Sequence, residues 1–405
     1  MKAAFVYMHP FSESMGSFVR LRELALGLSK LGVECYIFVP YEKSFDLASN
    51  IHVISFSNFL NSSGLAKAVY RLSKLLYYSK AFPNLFSKTD IRSNKIMAQF
   101  IARLAKQFVT HDIDVIQVEQ DAAIPFGIGL KEKTGIPLIA DLHNISSEEL
   151  VSAGVIERTG NLFSSLQDMT KKRLAEVDHV LVVSEDMKDY AVTNYNCKRT
   201  NVSVIPPGGR LLFDKSVLET RDMPAKIVYA GLVAHREHVD LFVNSMPFVL
   251  SQVPHAQFFI TNKGEAIRNI KQLSTKIGVS PEFFWYNDYD RANIFFSSCH
   301  LGVLPSSNDV ARKMGTPAKL FNYLSVGLPV VANDIGGWTD IIKEHDIGLL
   351  VSDDPEDFGE ALVNLLKSPK TLQDYAINAM ELIATKYNWD NSASTLAKIY
   401  PNYTV

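Results

Sequence analysis

The sequence predicts an α/β protein of two domains, each built around a parallel sheet. Short apolar, β-branched runs alternate with amphipathic helical stretches along most of the chain, which is the pattern of strand-helix-strand units. Runs such as PLIADL and LPVVA are apolar on both faces, as strands covered by helices on each side must be. A chain of 405 residues is long enough for two domains of about 200 residues, each with its own core.

Composition narrows the class further. A formal charge of −2 and an apolar fraction of 47% exclude a basic nucleic-acid coat and a disordered chain, so no nucleic-acid partner is expected. Cys35, Cys197 and Cys299 are odd in number, far apart and without C-x-x-C spacing, which points to free thiols in a reducing compartment. Met1 leads straight into a strand, and no apolar run approaches the ~18 residues that cross a bilayer. A cytoplasmic protein is expected.

The first unit is strand Ala3 to Met8, a loop through Gly16, a helix with Phe18, Leu21, Ala25 and Leu28 on one face, and strand Val33 to Val39. No G-x-G-x-x-G or G-x-x-x-x-G-K-[ST] follows any strand, so the fingerprints of dinucleotide redox chemistry and P-loop phosphoryl transfer are absent. Leu47 to Thr89 then holds no acidic residue. Within it, Leu65, Val69, Leu72 and Leu76 fall on one side of a helix, and Lys67, Arg71 and Lys74 fall opposite, with Tyr70, Tyr77, Tyr78, Phe82 and Phe86 nearby. Two readings stand: a helix on the sheet with a solvated cationic face, or an in-plane helix over residues 65–78 on an anionic membrane.

Ile113 to Val118 and Pro137 to Leu142 are buried-type strands closed by polar residues, Glu119 and Gln120 in one case, His143 and Asn144 in the other. Carboxyl ends of parallel strands line the ligand crevice of such sheets, so these residues are candidates for substrate contact. Val180 to Ser184 is a further strand. Val202 to Gly209, VSVIPPGG, combines two stiffening prolines with two turning glycines. Strand Lys226 to Gly231 opens the second half, with a loop from Leu232 to His238 and a helix from about Val239. Phe258 to Thr261, Phe283 to Tyr286, Leu301 to Leu304 and Ile347 to Val351 continue the alternation. Asp288-Tyr289-Asp290 reads as a loop and helix cap because Asp290 directly precedes the helical pattern Ala292 to Phe296.

The most informative stretch is Met314 to Gly337. Thr316 suits an N-cap and Pro317 the first helical position, which predicts a helix starting at Pro317. Lys319, Asn322 and Tyr323 share one face, Leu320, Phe321 and Leu324 the other, and Gly327 closes the helix. Leu328 to Ala332 follows as a strand, and Ile335-Gly336-Gly337 is a second loop entering a helix. Two loops with free N–H groups at helix starts, and a lysine one turn in, suit a phosphate-bearing ligand.

The run P-x-K-L-F-x-Y-L-x-x-G-x-P-V-V-A with its Gly-Gly loop resembles the donor-site signature of retaining GT-B glycosyltransferases that use nucleotide sugars. The resemblance spans almost the whole chain and implies two doubly wound, Rossmann-like domains facing each other across a cleft. They are residues 1–205, for the acceptor, and 206–387, for the donor, with a C-terminal helix in 388–405 crossing back to the first domain. It implies transfer of a hexose from a nucleoside diphosphate sugar to a glycan or lipid-linked acceptor hydroxyl, with retention and with no cofactor or metal. Carried over by position, His143 lies beside the transferred sugar and Lys319 faces the diphosphate, and Arg236, one residue before the family's lysine position, is placed to reach the same oxygens. Gly16, Glu119, Gly231, Thr316 and Pro317 contact substrate, as do Leu320, Asn322, Gly336 and Gly337. Gly16 also has a plain reading as a tight turn, and His143 as a loop histidine. The family's E-x7-E pair falls on Met314 and Asn322, and its arginine and lysine of the first donor loop on Leu232 and Glu237. These replacements leave open a non-catalytic nucleotide-sugar-binding or partner subunit, or a nucleotide-sugar 2-epimerase with Glu119 as its acid-base group.

Overall fold

The computed structural model describes residues 1–8, 16–39, 47–56, 95–221, 223–286 and 289–403. These form two compact units, Met1–Pro206 with Trp389–Val405, and Pro207–Asn388.

The first unit is a seven-stranded parallel sheet in the order β3-β2-β1-β4-β5-β6-β7. Its strands are β1 Lys2–Val6, β2 Glu34–Val39, β3 Ile51–Ser55, β4 Val115–Glu119, β5 Leu138–Leu142, β6 His179–Val182 and β7 Val202–Val204. β3 is an edge strand that the alternation did not announce, because Ile51 to Ser55 (IHVIS) mixes polar and apolar residues on a sheet margin. The order reverses between β1 and β4, and such a switch point opens a crevice beyond the carboxyl ends of the strands. Helices are set by local chemistry: Ser184 accepts from the Met187 amide at the start of Glu185–Tyr195, and Asn196 ends that helix at φ 56°. The helix Trp389–Ile399 belongs to this unit. Trp389, Ala393 and Leu396 pack into the same core as Phe18, Leu21 and Leu28, and a Cβ on Gly27 would collide with Ala393.

The second unit carries a six-stranded parallel sheet ordered β10-β9-β8-β11-β12-β13. The strands are β8 Lys226–Tyr229, β9 Gln257–Thr261, β10 Glu282–Phe284, β11 Leu301–Val303, β12 Val330–Asn333 and β13 Gly348–Val351. Its order reverses between β8 and β11. Both doubly wound sheets expected from the sequence are present, with strand ends displaced by one or two residues, as is usual where ladders fray. The basic stretch over residues 65–78 lies outside the described residues. No helix among the described residues is long and apolar enough to cross a membrane.

Candidate functional site

In the first unit the crevice end of the sheet is built on β4 and β5. Their parallel register sets Glu119 beside Asp141, and both carboxylates are wholly buried. A buried carboxylate is tolerated only with hydrogen bonds and countercharge. Arg20, from the helix Gly16–Lys30, supplies them: Nε and Nη2 each donate to one oxygen of Asp141 at 3.0 Å, and Nη1 donates to the Ile205 carbonyl at 2.8 Å. Gln117 Nε2 donates to Glu119 at 3.0 Å and to Asp141 at 3.3 Å, while its own oxygen accepts from Tyr400 at 2.7 Å.

His143 faces this cluster. Its Nε2 lies 3.0 Å from Glu119 Oε2 and 3.4 Å from Asp141 Oδ2. The first is an ion-pair contact, since neither atom has an aligned hydrogen bond. Gln120 Nε2 lies 3.3 Å from His143 Nδ1, and Gln120 itself sits at φ 73°, a strained conformation of the kind found at functional sites. Burial alone would lower the His143 pKa, but Asp141 and Glu119 raise it to about 9. For Glu119 burial and the Asp141 charge push the pKa up. Asp141 would rise on burial too, but Arg20 and His143 hold it down at about 2. His143 therefore has its Nε2 turned inward onto the carboxylates and its Nδ1 against Gln120. A free histidine base would need an open nitrogen.

Glu119, Asp141 and His143 bring one ligand atom each within 4.8 Å, the only such cluster among the described residues. A metal fits it poorly, because the Arg20 fork already engages both Asp141 oxygens.

The second unit gathers its charges at the β8 and β11 ends. The helix runs Ala318–Leu324, with Pro317 at the N-cap and no side-chain cap, so Thr316 does not cap it. Leu320 is wholly buried in the core, and so is Tyr323, whose hydroxyl accepts from the Ala230 amide at 2.6 Å. Neither side chain is open to solvent. Helical spacing put Tyr323 with Lys319, but its ring fills the space over Gly302, where a Cβ would meet it at 2.5 Å. Gly336 sits at φ 74° and Gly337 at φ 66°, and the Gly336 amide expected to be free donates to Asp334 at 3.0 Å.

Lys319 stands at the carboxyl end of β8. Its Nζ lies 4.6 Å from the centroid of the Tyr229 ring and 3.1 Å from where a Cβ on Gly231 would stand, so glycine there leaves room for the ammonium. The Gly231 amide donates to Thr261 at 3.0 Å. Lys319 Nζ donates to Glu237 Oε2 at 2.5 Å, and Arg312 Nη1 lies 3.4 Å and Arg236 Nε 3.9 Å from Glu237 Oε1. Burial would raise the Glu237 pKa, but Lys319 and Arg312 outweigh it and lower it. Three cations thus surround one anion. Asn322 is half-buried on the same short helix.

Of the remaining expectations, Gly16 begins the first helix and is exposed, and its preceding loop lies outside the described residues. The helix Tyr289–Ser297 starts before Asp290, so Asp290 lies within its first turn and is not the cap. Arg20, Gln117, Asp141, Arg312 and Tyr400 were not picked out from the sequence. A signal existed for some of them: Gln117 and Glu119 alternate in VIQVEQ, and Asp141 interrupts an apolar strand, so all three mark one polar face.

Residues 16–209 match the family described as Glycosyltransferase Family 4, and residues 224–368 match Glycosyl transferases group 1. An uncharacterised glycosyltransferase of Methanocaldococcus jannaschii is 23% identical over 68% of this chain and 71% of its own length. The sucrose-phosphate synthase of Thermosynechococcus elongatus superposes with a TM-score of 0.76 at 16% identity, over 99% of this chain and 98% of that one. The HepE protein of Anabaena, solved with UDP-glucose, gives 0.69 at 14% identity over 99% and 100%. With two doubly wound sheets and matches covering both units, the chain belongs to the group 1 glycosyltransferases of GT-B fold.

Proposed function

We propose that this glycosyltransferase moves a hexose from a nucleoside diphosphate sugar to an acceptor hydroxyl with retention of configuration, the donor on the second unit and the acceptor on the first. The observation that carries this reading is the cation cluster of Lys319, Arg312 and Arg236 at the carboxyl ends of β8 and β11. When the bond from the sugar C1 to the phosphate oxygen breaks, negative charge grows on the diphosphate, and fixed cations in a dry crevice stabilise it most. A phosphate oxygen of the leaving group takes the acceptor's proton as the new C1–O bond forms, so no protein base is required. That scheme asks no proton of His143, whose Nε2 is turned onto Glu119 and Asp141. The Anabaena relative's complex with UDP-glucose supports a donor of this class.

The test is a panel of nucleotide sugars incubated with the purified chain, following nucleoside diphosphate release with and without lipid acceptors. Release with transfer is expected. Sugar interconversion would make the chain an epimerase, and binding without turnover a non-catalytic subunit, the reading that Glu237 beside Lys319 favours.

The acceptor reading is a lipid-linked glycan at an anionic membrane face, drawn from the acid-free basic stretch over residues 65–78. The chain is expected to sediment with anionic vesicles at low salt, to release at high salt and to ignore neutral vesicles. Changing Lys67, Arg71 and Lys74 together to Glu should abolish sedimentation while nucleotide binding persists. Equal sedimentation of both proteins would point to a soluble acceptor.

A further inference from the structure

Glu237 is the charge that the donor site does not need. It stands where the family's pattern places a lysine, in the turn His235–Glu237 after β8, and it is largely buried at 14% side-chain exposure. Both its oxygens are engaged as phosphate oxygens would be: Oε2 by Lys319 at 2.5 Å and by the Tyr229 hydroxyl at 3.5 Å, Oε1 by Arg312 at 3.4 Å and Arg236 at 3.9 Å. The turn is pinned, since the Ser307 amide donates to the Arg236 carbonyl at 3.0 Å. His238 follows at φ 50°, a left-handed conformation held by a residue with a full side chain. A fixed turn keeps the carboxylate among its cations.

We propose that Glu237 is a specificity-determining residue of the donor site, a built-in counter-anion that lets the cation cluster bind a nucleoside diphosphate sugar while weakening its hold on the free nucleoside diphosphate product. The inference rests on the donor reading above. A sugar diphosphate brings two negative charges to these cations, and Glu237 already stands among them as an anion. The product carries up to one further negative charge near neutral pH, and Glu237 repels it at close range. Interactions between unit charges a few ångströms apart in a partly dry crevice change affinity by tenfold or more. Glu237 therefore biases the crevice towards donor and against product, which favours product release.

The experiment compares wild type with Glu237→Gln by calorimetry, using UDP, GDP and ADP, their glucose conjugates and the free nucleosides. Melting curves of both proteins are taken in parallel. For whichever base binds, the variant should hold the diphosphate about tenfold more tightly, the sugar diphosphate by a smaller factor, and the nucleoside unchanged. Product inhibition of turnover should strengthen in step. Should Glu237→Gln fail to fold, Arg312→Gln gives the converse reading: removing a cation should weaken the diphosphate more than the sugar diphosphate. Equal shifts for diphosphate and nucleoside, or an unchanged ratio between diphosphate and sugar diphosphate, would overturn the proposal while leaving the donor reading intact. If wild type and variant bind no member of the panel, both fall.

Discussion

Lys319→Ala is expected to lower turnover about 100-fold or more, because loss of one preorganised contact to a developing anion costs about 3 kcal/mol. The ammonium is placed for that contact: Tyr229 lies beneath it, Gly231 clears its path, and Glu237 anchors it. The fold should tolerate the change, since Glu237 keeps Arg312 and Arg236 as countercharges. Rates measured with whichever nucleotide sugar turns over, beside a melting curve, separate the two effects. A fall of less than about threefold with an unchanged melting temperature would mean that the diphosphate departs from another place.

Asp141→Ala is expected to be the most destabilising single substitution at the first-unit site. It leaves the Arg20 guanidinium, with its side chain 4% exposed, facing an empty pocket, and breaking a buried pair by removing one partner costs about 3–5 kcal/mol. In a unit of this size that lowers the melting temperature by roughly 10 °C. Arg20→Met with Asp141→Leu should recover most of the loss, because an apolar pair carries no desolvation penalty. A simple sum of the two single effects would show that the residues act independently. The pH dependence has a definite sign. Asp141 titrates at about 2 in the fold against an ordinary 3.8, so its contribution is complete above 3.8 and disappears as pH falls through about 2. The double substitution should lose that acid sensitivity.

Lys319 and Asp141 differ in how far the sequence announces them. Lys319 was visible in the sequence because it sits in a motif whose spacing is local: a short helix, a glycine and a buried strand fix its backbone within a few residues. For the same reason the strand-helix alternation announced most of the elements in order, β3 excepted, since period-two and period-3.6 patterns are written in neighbouring residues. The strand order and its switch points are tertiary facts.

What lay beyond the sequence is long-range pairing. Arg20 and Asp141 are 121 positions apart, Tyr400 and Gln117 are 283, and Lys319 and Glu237 are 82, so no local pattern announces any of these partners. Position in the family pattern set His143 in the crevice, but only the packing of β4 beside β5 turned its Nε2 onto two buried carboxylates. Helical spacing grouped Tyr323 with Lys319. Gly302, on the neighbouring strand, had room for an aromatic ring, and that room drew the tyrosine into the core. The sequence by itself determined which groups can carry charge at the strand ends. The tertiary structure decided which of those charges meet, because in a buried crevice each must find its countercharge wherever the sheet order brings one within reach.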